Sequence, residues 1–334
     1  MADRFYQSGL ASGANDGTSW ADAWQTLQAV LDNHVAGDHI FLDTVTNGAE
    51  VLSATADDDT VNGTASGNTQ FFAVNGDQSA TPEDDVDGTM AVFDANSAAT
   101  FCVQSNGFDY RHWKNCEFKN ATSHGFDIVA TAINCCWEGC SFNNNNGHGM
   151  DMSVNADGNV FVQCRFDNNG GSGHQGIDDG HLILCQFINN SAHGCIQLAA
   201  AGHSTAVLCL AHNNTTDGFV IDEEDFVILC TSDGNGRSGI GNFGTVNNAA
   251  SFLNRLTNNT GYGIGGFGSS RMCIGMNAFR NNTGGESTGS ASLIDIGQNV
   301  TLTADGYEDI GSDNFSLNDS SEARRDSFNI GFSQ

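Results

Sequence analysis

Asp178, Asp179 and His181 stand close together in the chain, and a second acidic group, Asp222-Glu-Glu-Asp225, follows further on. Paired carboxyl groups carry out acid–base cleavage of acetals; an inverting hydrolase sets them roughly 6.5–9.5 Å apart, with one pKa raised. His148 lies between Gly147 and Gly149, and His124 and His193 recur in comparable settings, which favours a corner histidine of the repeat over a catalytic one. Elimination chemistry instead wants an Arg or Lys base beside a calcium-binding nest of carboxylates. Arg165, Arg237 and Arg255 are scattered without such neighbours. Asp57-Asp-Asp59 and Glu83-Asp-Asp85 offer calcium its preferred oxygen ligands, although solvated loop charge is the favoured reading of both. Cys136-Trp-Glu-Gly-Cys140 has no matching second pair, which speaks against a zinc site.

The elements that must hold these groups are set by a repeat. Cys116, Cys140, Cys164, Cys185, Cys209 and Cys230 recur at steps of 24, 24, 21, 24 and 21, and Asn254 and Asn277 continue the slot. Two residues on, Phe118, Phe142, Phe166 and Phe187 share a phase; four on, Asn120, Asn144, Asn168, Asn189 and Asn213; nine on, Gly125, Gly149, Gly173, Gly194 and Gly218. Self-similarity at this period defines a solenoid, and strand-sized segments between Asn and Gly corners make it a β-solenoid. Equivalent residues then stack about 4.8 Å apart. Cysteine serves as a small hydrophobe in the interior, Asn bonds along the axis, and Gly is expected to supply positive φ at the corner. Stacked cysteine Cβ vectors run parallel, so reduced thiols are expected.

The residue before each cysteine slot should point outward by strand alternation. It reads Asn115, Gly139 and Gln163, then Leu184, Leu208, Leu229, Leu253 and Met276, an apolar stripe that predicts either an interface with a partner or a face covered by a loop or the C-terminal tail of the same chain. A helix over about 20–34, with Ser19 and Asp22 as an approximate capping box, caps the first coil, and His39–Leu42 is the first strand. The predicted divisions are 1–42 for the cap and first strand, 43–94 for irregular early coils, 95–300 for the regular β-helix and 301–334 for a terminal cap or tail.

Forty acidic residues against eleven Lys plus Arg give a net charge of -29, which repels nucleic acid and disfavours polyanionic glycans unless calcium bridges them. Neither a secretory signal nor an apolar run long enough to span a membrane is visible in the sequence.

The repeat, together with Asn15-Asp-Gly-Thr-Ser-Trp-Ala-Asp-Ala-Trp24 and Ala36-Gly-Asp-His-Ile-Phe41, resembles the right-handed parallel β-helix superfamily, the pectate-lyase-like fold, over nearly the whole chain. The resemblance implies an all-β, single-stranded right-handed parallel β-helix. Polygalacturonases of that superfamily carry Asn-Thr-Asp, Asp-Asp, Gly-His-Gly and Arg-x-Lys in that order. Here Gly147-His-Gly149 precedes Asp178-Asp179, and the other two motifs are missing. The arrangement also resembles short virion β-helices of tailed phages. The expectation is therefore a non-catalytic virion protein (head decoration, spike or fibre), made in a host cytoplasm, trimeric or docked on a capsid or tail protein, with no required cofactor. The alternative is a polysaccharide hydrolase or lyase, or a glycan-binding module, using Asp178, Asp179, His181 and His148.

Overall fold

Each period of the sequence folds into three short strands, and each strand pairs in parallel with its equivalent one coil on. The computed structural model describes residues 2–9, 12–46, 48–58, 67–74, 90–152, 156–176, 179–196, 203–222, 224–242, 249–265, 272–287, 293–295, 299–301, 307–309 and 314–317. One coil comprises Arg111–Lys114, Cys116–Lys119 and Phe126–Ile128, which lie on what we term the first, second and third faces. Their partners in the next coil are Cys136–Glu138, Ser141–Asn143 and Met150–Met152, held in register by Trp113↔Trp137, Phe118↔Phe142 and Phe126↔Met150.

The chain divides into two compact units, Met1–Gly171 and Ser172–Gln334. In the first, the first face begins with Asp3–Gln7, which pairs with His39–Asp43 one coil on, so it precedes the strand expected to be first. Glu50–Val51, Ala56–Asp58, Thr69–Ala73 and Ala91–Asp94 continue the same three faces in the early coils, where residues 59–66 and 75–89 lie outside the described residues. In the second unit, the first face runs from His181–Ile183 to Leu293–Asp295 and the second from Gln186–Ile188 to Val300–Thr301. An antiparallel pair, Tyr307–Asp309 with Asn314–Leu317, follows.

The interior is filled by like upon like. Phe93, Phe118, Phe142 and Phe166 form a column with centroid separations of 5.7, 5.4 and 4.9 Å. Trp113 stacks on Phe71 at 3.9 Å. Such contacts add roughly 0.5–1.5 kcal/mol per pair beyond area burial. All eleven cysteines are free. Ladder thiols donate to carbonyls of the preceding coil, Cys140 to Trp113 O at 3.4 Å and Cys209 to Leu182 O at 3.3 Å. Asn254 Nδ2 makes the same contact with Val227 O at 2.8 Å, which explains how asparagine replaces cysteine in the slot. Burial pushes the Cys102 and Cys135 thiols up to about 12, so they are inert.

Several expectations change. The strongest amide ladder lies one residue beyond the predicted asparagine slot, where Asn145 Nδ2 donates to Asn169 Oδ1, and Asn190, Asn214, Asn235 and Asn259 continue the pattern in the second unit. The predicted row, Asn120, Asn144, Asn168, Asn189 and Asn213, instead takes left-handed corners at φ 53–60°. The recurrent glycines are needed for close approach: a Cβ on Gly125 would lie 2.7 Å from Gly149 O, and one on Gly194 would lie 2.5 Å from Gly218 O. Leu184, Leu208, Leu229, Leu253 and Met276 are left-handed corner residues, φ 55–58°, between the first and second faces. They are therefore a corner row in place of a strand-face stripe.

The helix spans only Leu27–Asn33, with Thr26 as N-cap accepting from Ala29 N–H at 3.1 Å. Ser19 and Asp22 do bond each other, but Trp24 is drawn into a parallel bridge with Tyr6, so no helix starts there. Glu83–Asp85 and Asp59 lie outside the described residues. Asp58 is buried against Arg111, so its charge is not solvated.

Candidate active site

Two strands of the third face, Phe126–Ile128 and Met150–Met152, alternate apolar, acidic, apolar. Phe126, Ile128, Met150 and Met152 point inward, which places Asp127 and Asp151 on the opposite side of the strands, in register with each other. Gln104 is the in-register partner of Asp127 on the other side, and Asp57 that of Gln104. The result is a polar row of Asp57, Gln104, Asp127 and Asp151. Gln104 Nε2 donates to Asp127 Oδ2 at 2.7 Å.

The corner entering these strands supplies imidazoles. His124 and His148 stack at a centroid separation of 4.9 Å and an interplanar angle of 9°, and Phe101 continues the stack at 5.7 Å from His124. The His148 backbone N–H donates to His124 Nδ1 at 2.8 Å. In the neutral ring the proton therefore resides on Nε2, the atom that faces Asp151 Oδ2 at 3.6 Å. Asp151 Oδ1 is buried and accepts no hydrogen bond from the described residues.

Burial raises the pKa of Asp127, opposed by its bond from Gln104 and by the nearby His124. Burial likewise raises that of Asp151, opposed by His124. Groups whose environment shifts them in this way mark functional sites more often than chance. His124, His148 and Asp151 also place ligand atoms within 4.8 Å of one another, so the cluster is capable of coordinating a metal ion.

The residues predicted from sequence are distributed differently. Asp178 and Glu223 lie outside the described residues. Asp179 meets His203, which also contacts Glu224: the distances are 3.4 Å from Nδ1 to Asp179 and 2.5 Å from Nε2 to Glu224. This second cluster joins both predicted acidic groups through a histidine on the intervening coil, but its members are 41–62% exposed. His181 is exposed on a first-face strand and pairs with Thr205, apart from the cluster. Asp225 is fully buried, accepting from Ser204 N–H and Asp222 N–H. Arg237 is committed to Asp217, which also contacts His193, and Arg165 to Asp167.

His148 was a predicted site residue and is in the first cluster. Asp127 and Asp151 were missed. Their signal was available as the paired tripeptides Phe126-Asp-Ile128 and Met150-Asp-Met152, one repeat apart, each with an acid between inward apolar residues.

No protein-family model matches the sequence, and no curated protein does. Solved structures do. The pectate lyase Pel9A overlays with a TM-score of 0.73 at 15% identity, over 94% of this chain and 84% of that one. A protein of Geobacillus virus E2, ORF18, overlays with a TM-score of 0.53 at 13% identity, over 91% of this chain and 62% of that one. The chain is thus a right-handed parallel β-helix of the pectate-lyase-like fold.

The expectation of a non-catalytic virion protein is corrected. It rested on the coils lacking a converging set of reactive groups, and the third face carries one. The overlay with the pectate lyase extends over more of both chains than that with the viral protein. The head-decoration and tail-spike readings fall with it.

Proposed function

We propose that the protein is a polysaccharide-cleaving enzyme that works at the third face of its first unit. The observation that carries this reading is the in-register pairing of Asp127 with Asp151 beside two stacked imidazoles. Neighbouring strands lie about 4.8 Å apart, so the two carboxyls are spaced close to the roughly 5–5.5 Å of retaining glycosidases and below the separation of inverting ones. Asp127, held by Gln104, acts as the acid on the leaving oxygen; Asp151, with one unengaged oxygen, acts as the nucleophile. The net charge of -29 favours a neutral glycan over a polyuronate.

A second reading, elimination on a uronate chain, draws on the metal-capable cluster, since a bound cation would offset the repulsion. Calcium suits that role poorly, because it takes six to eight oxygen ligands and two of the three donors here are nitrogens.

The test is release of reducing ends from neutral glucans, xylans and galactans and from polyuronates, with ultraviolet absorbance reporting unsaturated elimination products. Hydrolysis of a neutral glycan with retention of anomeric configuration, lost in Asp127→Asn and Asp151→Asn, is expected. Turnover that survives both substitutions, or none on any substrate, sinks the assignment.

A further inference from the structure

We propose that His124, His148 and Asp151 form a binding site for a first-row transition dication of the zinc type. The donor set is two imidazoles and one carboxylate, which suits zinc, copper or nickel and not calcium or magnesium. Three protein ligands leave a position open for water or substrate, as in catalytic rather than structural zinc sites.

Three features of the site support an ion. Asp151 Oδ1 is buried and accepts no hydrogen bond from the described residues, so the carboxylate is short of donors; Oδ2, the oxygen that faces His124, is the ligand atom, and Oδ1 stays free for the reaction proposed above. Its one ionic partner among the described residues is His124, while the basic side chains of the neighbouring coils are engaged elsewhere: Lys114 with Glu138, Lys119 with Glu117, Arg111 with Asp58 and Arg165 with Asp167. Among the described residues, the two in-register carboxylates therefore share their surroundings with no lysine or arginine. His124 and Asp151 also keep 20% and 14% of their side-chain surface in solvent, which gives an ion a path in.

Geometry sets the expected strength. Tetrahedral ligands at about 2.0–2.2 Å from a metal stand about 3.4 Å apart, and the His124–Asp151 distance of 3.6 Å already matches. The stacked rings do not, and must tilt toward each other by about an ångström. His124 Nδ1 also accepts the His148 amide, which fixes the ring proton on Nε2. Coordination through Nε2 displaces that proton or turns the ring over and gives up the amide bond. Metal-bound histidines usually donate their second nitrogen, so this site should bind in the micromolar range, well short of closed zinc sites.

The proposal is independent of turnover and is tested by binding alone. Isothermal titration of the full chain with Zn2+, in a Cys136→Ser/Cys273→Ser background that removes the two thiols that are not fully buried, should show one site. Affinity should fall at least ~10-fold in Asp151→Asn and in His148→Gln, and Ca2+ should not compete. Unchanged Zn2+ binding in both variants, or equal competition by Ca2+, overturns the site. Should a variant fail to fold, the Co2+ spectrum of the Cys-substituted chain decides. Tetrahedral d–d bands without sulfur charge transfer support the assignment; charge-transfer bands, or no saturable spectrum, refute it.

Discussion

Asp58 and Arg111, two coils apart on different faces, form an ion pair of 2.9 Å with both side chains fully buried. Arg111 also lies over the Phe71 ring at 5.5 Å, so its charge is sandwiched between a carboxylate and an aromatic face. Asp58 belongs to the acidic run that looks like loop charge in sequence, and it is a core residue.

Removing one member of such a pair leaves a charge in the interior, which costs roughly 3–5 kcal/mol. Asp58→Ala should therefore lower the urea midpoint sharply. Asp57→Ala, on the exposed side of the same strand, should leave the midpoint nearly unchanged. Equal effects would remove Asp58 from the core account.

The cysteine slot should accept asparagine and reject bulk. Cys230 Sγ donates to Ala206 O, and Asn254, next in the slot, repeats the contact with its amide. Cys230→Asn is expected to cost less than about 1.5 kcal/mol, and Cys230→Phe about 1–3 kcal/mol or more through overpacking. Denaturant unfolding of the two variants compares them directly.

Leu208 holds a left-handed backbone, φ 55°, while 37% exposed. A left-handed non-glycine residue is strained by roughly 1–2 kcal/mol, less for Asn, whose short polar side chain bonds locally. Leu208→Asn should raise the thermal midpoint by a degree or more. A fall would show that the apolar corner row contributes packing that outweighs its strain.

His34 is buried against the Phe71 ring edge, donating from Nδ1 to Val30 O, and burial, then the Arg111 charge, depress its pKa to about 4 against the opposing pull of that hydrogen bond and of Asp38. Its folded pKa lies below the unfolded value, so its stabilising contribution is present above about pH 6.5 and is lost as pH falls through about 4. The shift corresponds to about 3 kcal/mol. His34→Leu should flatten the fall in stability between those pH values; an unaltered pH profile would exclude His34 as its source.

The sequence by itself determined the coil. Residues repeating at 21 to 24 positions must stack on their own kind, because parallel in-register pairing brings each onto its equivalent, and Cys116, Phe118 and Asn120 announce this without any coordinates. It also marked His148 and Asp179 as chemically apt, while His124 read as a corner histidine of the repeat. What it did not contain was which residues of different coils face each other across a corner. The glycine slot looked like a source of positive φ and proved to be a close approach between backbones, a distinction that exists only once the neighbouring coil is in place. Trp24 lay on a convincing helical stripe, yet pairing with Tyr6 outweighed local helix preference. The same reason hid the candidate site. Asp127 and Asp151 are ordinary outward acids in sequence; only coil stacking brings them into register beside His124 and withdraws them from water, and it is that withdrawal which gives two common aspartates an environment fit for chemistry.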